Sequence, residues 1–109
     1  MHKSVLLQEA LEWLSPHPGG VFVDGTLGLG GHSEGILKAS SGKARLFGFD
    51  LDADVLARAE NRLRDYSDSV EFVHSNFDTI PPYLQERSVF ANGILLDLGV
   101  NSLQFDLPE

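Results

Sequence analysis

The chain has 109 residues, 42% apolar and 22% charged, an ordinary globular composition that fits one domain and excludes a disordered or low-complexity segment. No apolar run is long enough to span a bilayer, no secretory leader is read at the start, and the lack of cysteine excludes a disulfide framework and any thiolate metal site. Eight Lys and Arg against sixteen Asp and Glu leave a net charge of −8, which by itself argues against wrapping a nucleic-acid backbone, because phosphate contacts need clustered cations.

The spacing of Leu6, Ala10, Trp13 and Leu14 predicts a helix over Ser4 to Leu14, capped by Ser4 and ended by Pro16, Pro18, Gly19 and Gly20, with Trp13 in the core. Val21 to Val23 reads as a buried strand running into Asp24. The stretch Gly25 to Gly31 is a glycine-rich turn, and His32 to Ser40 is a modest helix weakened by Gly35. Ala44 to Phe49 is a second strand ending in Asp50. Asp52 caps a helix from Ala53 to about Arg64, whose buried face is Val55, Leu56, Ala59 and Leu63. On its outer face Asp54–Arg58 and Glu60–Arg64 have the spacing of ion pairs, and Arg58, Arg62 and Arg64 read as a solvated surface. Val70 to His74 is a third strand, Tyr83 to Arg87 a short helix opened by Pro81 and Pro82, and Gly93 to Leu96 a fourth strand ending in Asp97. Strands separated by helical crossovers predict an α/β fold with a parallel sheet, the first half of a doubly wound architecture.

Ligands of such sheets lie beyond the carboxyl ends of the strands. Asp24, Asp50 and Asp97 end three of the four strands, and Asn76-Phe77-Asp78 follows the other. Gly28-Leu29-Gly30-Gly31-His32-Ser33 offers two glycines of a dinucleotide fingerprint but puts Ser33 at the third position. A pyrophosphate beside Asp24 is also disfavoured by like charge. S-adenosylmethionine, with a sulfonium, an ammonium and one carboxylate, suits the crevice better. Asp24 can attract a cationic group or brace the loop. The amides of Gly30, Gly31 and His32 can approach the methionine part closely, since glycine has no Cβ. Asp50 can accept from both ribose hydroxyls, Phe77 can cover an adenine face, and Asp97 can reach the amino-acid end or the methyl acceptor. Taken singly, Asp24 and Asp50 also fit plain strand-end or cap residues, Phe77 core, Asp97 a turn former and His32 a neutral helix start. His2, His17 and His74 lack ligand spacing and read as surface or packing residues; no metal site is expected.

His2 to Glu9, Asp24 to Ser33, Phe49-Asp50-Leu51-Asp52, Asn76-Phe77 and Leu95-Leu96-Asp97-Leu98-Gly99-Val100 together resemble, in order and along essentially the whole chain, the bacterial 16S ribosomal RNA cytosine-N4 methyltransferase family. The resemblance implies a class I, Rossmann-like S-adenosylmethionine-dependent methyltransferase. It assigns cofactor contacts to Gly30, Gly31, His32, Asp50, Phe77, Asp97 and Gln104, and makes the exocyclic amine of a cytidine in small-subunit ribosomal RNA the acceptor. One departure is visible: the family's Ser-Ser-Pro-Gln is here Asn101-Ser102-Leu103-Gln104, and loss of the proline frees the backbone before Gln104.

The family runs on past Glu109, so residues 1–109 are expected to be the N-terminal cofactor-binding part of a longer domain, cytoplasmic and inactive alone. Most RNA-binding cations would then lie elsewhere, and the open sheet edge would favour self-association. Asp97, with Asn101 second, is the candidate acceptor for an N–H of the attacking amine. The rival readings are a non-catalytic scaffold that binds a partner and, less favoured, a nicotinamide dinucleotide enzyme.

Overall fold

The computed structural model describes residues 11–28 and 30–96. Residues 11–14 are helical; the rest of the expected first helix lies outside the described residues. The elements that follow are β1 (Val21–Asp24), α1 (Gly31–Ala39), β2 (Arg45–Asp50), α2 (Ala53–Arg62), β3 (Val70–His74), α3 (Ile80–Glu86) and β4 (Gly93–Leu95). Single turns of 3-10 helix sit at Arg64–Tyr66 and Phe77–Thr79. The strands form one parallel sheet in the order β3-β2-β1-β4.

Alternation along each strand sorts its side chains between two layers. Phe22 and Leu46 point to one face and pack with Ile36, Leu37 and Leu63 beneath α1 and α2. Val23, Phe47 and Phe49 point to the other and pack with Ile80 and Leu84 of α3. The chain steps outward from β1 to β2 to β3, then returns through α3 to place β4 on the far side of β1. The direction of winding therefore reverses between β1 and β4, and in sheets of this kind ligands bind at the carboxyl ends of the strands beside such a reversal.

Three expectations need correction. Trp13 is 87% exposed rather than core. Leu11 and Leu14 take the inward positions; a Cβ on Gly93 would lie 2.5 Å from Leu14 Cδ2, so this helical turn rests directly on β4 and leaves no room for an indole. Second, α2 ends at Arg62 and Arg64 enters a tighter turn, so Glu60 and Arg64 lose helical spacing and form no ion pair; Asp54 and Arg58, both exposed, form none either. In water such pairs gain little over the cost of ordering two side chains. Third, α3 starts at Ile80, so both prolines fall inside its first turn, where a missing N–H costs nothing.

Tyr83 of α3 packs edge-on against Phe47 and Phe49, at 5.8 and 5.3 Å between ring centres, and donates its hydroxyl to Glu71 of β3. Partial burial, then the Glu71 carboxylate that accepts its hydrogen bond, push the phenol up to about 12 from its ordinary 10. The folded state thus favours the neutral phenol. The stability this contributes is present below pH 10 and lost as the pH rises from about 10 towards 12. Urea midpoints measured from pH 9 to pH 11 are expected to fall with pH, and to fall less steeply in Tyr83→Phe.

Candidate functional site

The turn after β1 is bonded to both neighbouring strands. Gly25 N–H donates to Leu95 O of β4 at 2.7 Å, and Leu27 N–H donates to Phe49 O of β2 at 2.8 Å. A Cβ on Gly25 would stand 2.2 Å from Leu96 Cδ2, so glycine lets β4 close onto the turn. Leu27 folds back over β2, where the missing Cβ of Gly48 leaves it room, and packs with Leu56 and Ala59 of α2. Gly28 and Gly30 have φ of 56° and 92°, a left-handed backbone that favours glycine. The loop is a fixed bracket spanning β4, β1, β2 and α2.

The two strand-end acids within the described residues hold this bracket. Asp24 is 1% exposed; its Oδ1 accepts from Thr26 N–H at 3.2 Å and its Oδ2 from the Ser33 hydroxyl at 2.9 Å. These two bonds tie Asp24 to the loop and to the first turn of α1. Asp50 Oδ2 accepts from Gly28 N–H and Oδ1 from Asp52 N–H, both at 2.9 Å. Each carboxylate oxygen has the capacity to accept a second hydrogen bond. The Asp52 side chain caps α2 as expected, accepting from Asp54 and Val55 N–H.

Gly30 N–H closes the turn onto Leu27 O at 3.0 Å, and Glu34 N–H makes the first intrahelical bond, to Gly30 O, so the amides at the head of α1 are those of Gly31, His32 and Ser33. Gly30 is the N-cap of that helix and supplies no side-chain cap. Among the described residues, a Cβ at Gly28 would lie 4.0 Å from Thr26 O and one at Gly31 would lie 4.0 Å from Arg62 Nη1. Phe77 follows β3 in its short turn, held by Asn76, whose Oδ1 accepts from Asp78 N–H. The Phe77 Cβ lies 3.3 Å from a Cβ built on Gly25, so the side chain borders the loop while joining the α3-side core. Asp97, Asn101 and Gln104 lie outside the described residues.

Two residues of this assembly escaped sequence reasoning. Ser33 was weighed only as a failed third glycine, yet it is fully buried and donates to Asp24. Its place on the first turn of α1, pointing back at the preceding strand end, was the available signal. Arg62, read as solvated, crosses from α2 to Glu34 of α1: Nε donates to Oε1 at 3.0 Å and Nη2 lies 2.9 Å from the same oxygen. Of the histidines, His17 packs edge-on against Phe22 and His74 Nε2 lies 2.8 Å from Leu51 O.

A 3-2-1-4 parallel order, a glycine loop at the winding reversal and an acid at the end of β2 define the first half of a class I S-adenosylmethionine-dependent methyltransferase fold. Solved structures agree: a geranyl diphosphate methyltransferase in complex with S-adenosylmethionine superposes with a TM-score of 0.60 at 25% identity, over 67% of this chain and 30% of that one. A protein-L-isoaspartate O-methyltransferase superposes with a TM-score of 0.57 at 15% identity, over 65% and 23%. A sequence model of the MraW methylase family matches residues 1–109, and the chain belongs to that family. It is 47% identical over 109 residues to ribosomal RNA small subunit methyltransferase H of Gloeobacter violaceus, covering 100% of this chain and 33% of the relative. The protein of the same name in Clostridioides difficile is 46% identical over 106 residues, covering 96% and 34%. The chain therefore spans about a third of the length of the curated relatives it matches.

Proposed function

We propose that this chain is the cofactor-binding part of a methyltransferase that moves a methyl group from S-adenosylmethionine to the exocyclic N4 amine of a cytidine in small-subunit ribosomal RNA. The observation that carries the reading is the glycine bracket: Gly28 and Gly30 in left-handed backbone, a helix start without a side-chain cap, and the Asp50 carboxylate bonded to the Gly28 amide. Membership of the MraW methylase family and the name its relatives bear support the RNA substrate.

In this reading the Gly31 and His32 amides receive the methionyl carboxylate, Asp50 the ribose hydroxyls, and Phe77 lies against the adenine. Gly28 and Gly30 set the loop's curvature and Asp24 holds it through Ser33. The resemblance adds Asp97 and Gln104 as cofactor contacts. When bound, the donor supplies an electrophilic methyl group and departs as a neutral thioether. The chain's residues then have no leaving-group proton to supply; they hold the amine about 3–3.5 Å from the methyl carbon and exclude water. Asp97, or Asn101 after it, accepts a hydrogen bond from the cytosine amine and raises its nucleophilicity; as the N–C bond forms and the S–C bond breaks, the surplus amine proton leaves to Asp97 or to solvent.

The net charge of −8 assigns most RNA-binding cations to the part of the relatives beyond this span. The reading makes the protein cytoplasmic, where a ribosomal RNA substrate would be met; no helix among the described residues is long and apolar enough to cross a membrane. Among the described residues β4 pairs only with β1, and Phe90, just before it, is 90% exposed, so self-association through this edge is part of the proposal.

Titration calorimetry with S-adenosylmethionine, and methyl incorporation into small-subunit RNA, test the reading. The 109-residue chain is expected to bind the donor weakly and transfer nothing, while the length of its relatives restores transfer. Absence of heat would favour the scaffold reading, and heat with NAD alone would favour the dinucleotide one.

A further inference from the structure

The head of α1 carries no side-chain cap, so other contacts must hold the first turn where its amides are useful. Two adjacent residues of that turn supply them in different directions. Ser33 ties it inward to Asp24 at the end of β1, and Glu34 ties it sideways to Arg62 at the last position of α2. The Arg62 guanidinium also stands over the turn: Nη1 is 4.0 Å from a Cβ built on Gly31. Lys38 reaches the other Glu34 oxygen at only 3.7 Å, so Arg62 is the closer cation.

Charge gives the second strand of reasoning. An acid in a first turn suits a helix taken alone, since it offsets the positive end of the dipole. Here the same end is read as the seat of a ligand carboxylate, and an uncompensated Glu34 would oppose it. The Arg62–Glu34 pair is partly exposed, with side chains 45% and 26% accessible, so it adds little to global stability. Its effect is local, on the turn and on the field there.

We propose that Arg62 is a positioning residue for the methyl donor: by pairing with Glu34 it fixes the first turn of α1 against α2 and neutralises a carboxylate beside the Gly31 and His32 amides. The proposal rests on the cofactor reading above and names a residue that reading does not use.

Calorimetry on the protein and its Arg62→Gln, Arg62→Lys, Glu34→Gln and doubly substituted (R62Q with E34Q) forms tests it, with S-adenosylmethionine and with its decarboxylated analogue as probes. Arg62→Gln is expected to weaken S-adenosylmethionine about fivefold or more, but the decarboxylated analogue by less than about twofold, at an almost unchanged melting temperature. Arg62→Lys should retain most of the affinity, and adding Glu34→Gln to Arg62→Gln should restore part of it. Equal losses for both probes, or an unchanged affinity in Arg62→Gln, would overturn the proposal while leaving the cofactor reading in place. A wild-type protein that binds neither probe would overturn both.

Discussion

Asp50→Ala is expected to weaken S-adenosylmethionine binding about a hundredfold. Two losses combine. The variant removes the proposed acceptor for the ribose hydroxyls, and it removes the acceptor that Gly28 N–H and Asp52 N–H share at 2.9 Å each. A hydrogen bond to a charged group contributes about 1.5–3 kcal/mol, and tenfold in affinity is about 1.4 kcal/mol, so one such bond plus some loosening of the loop accounts for the figure. Asp50→Asn keeps one carbonyl oxygen for Gly28 and should lose less. Methylthioadenosine, which has the ribose but no methionyl carboxylate, separates Asp50 from the helix head. Its affinity should fall with Asp50→Ala nearly as far as that of the full donor. Calorimetry showing an Asp50→Ala protein within about threefold of wild type would remove Asp50 from the site.

Ser33→Ala is expected to destabilise the fold by about 2–3 kcal/mol, more than an oxygen atom on a helix ordinarily costs. The reason lies in its partner. Asp24 is 1% exposed, and the Ser33 hydroxyl is a donor to its Oδ2. Removing that donor takes one hydrogen bond away from a buried carboxylate, which costs more than taking one from a neutral group. Adding Asp24→Asn to Ser33→Ala should therefore recover about 1 kcal/mol or more, since the neutral amide is less costly to bury. Urea unfolding of the four proteins closes the cycle. If the double variant is less stable than Ser33→Ala by the full Asp24→Asn cost, the two side chains are energetically independent and the bracing role fails.

Much of the fold was legible because its signals are local. Val70–His74 was bounded correctly from a β-branched and aromatic run, and Asp52 was identified as a cap from its place before a 3.6-residue pattern. The acids at the ends of β1 and β2 could be placed because a strand's end is marked by where its apolar run stops. Whether they converge, and on what, is a matter of strand order. Order depends on which crossovers pack on which face, and no short window encodes that.

The misread positions share a cause. Trp13 fits the helical stripe of its own segment, yet the stripe that meets the sheet is set by where Gly93 lets Leu14 descend, a partner 79 positions further along the chain. Arg62 is exposed, as the pattern of its own helix predicts, but the carboxylate it pairs with stands on the neighbouring helix. Ser33 looks like a missing glycine until β1 is placed beneath it.

By itself the chain of residues determined the alternation of strands and helices, the glycine bend after β1, the acids waiting at strand ends and the family they spell out. Each of these rests on backbone preference or periodicity within a few neighbouring positions. Only the tertiary structure decided that Asp24 turns inward to Ser33, that Asp50 bonds the Gly28 amide, and that Arg62 reaches across to Glu34. Those pairings join residues 9, 22 and 28 positions apart, and they exist because parallel strands bring their carboxyl ends side by side while the helices between them are carried to a common face.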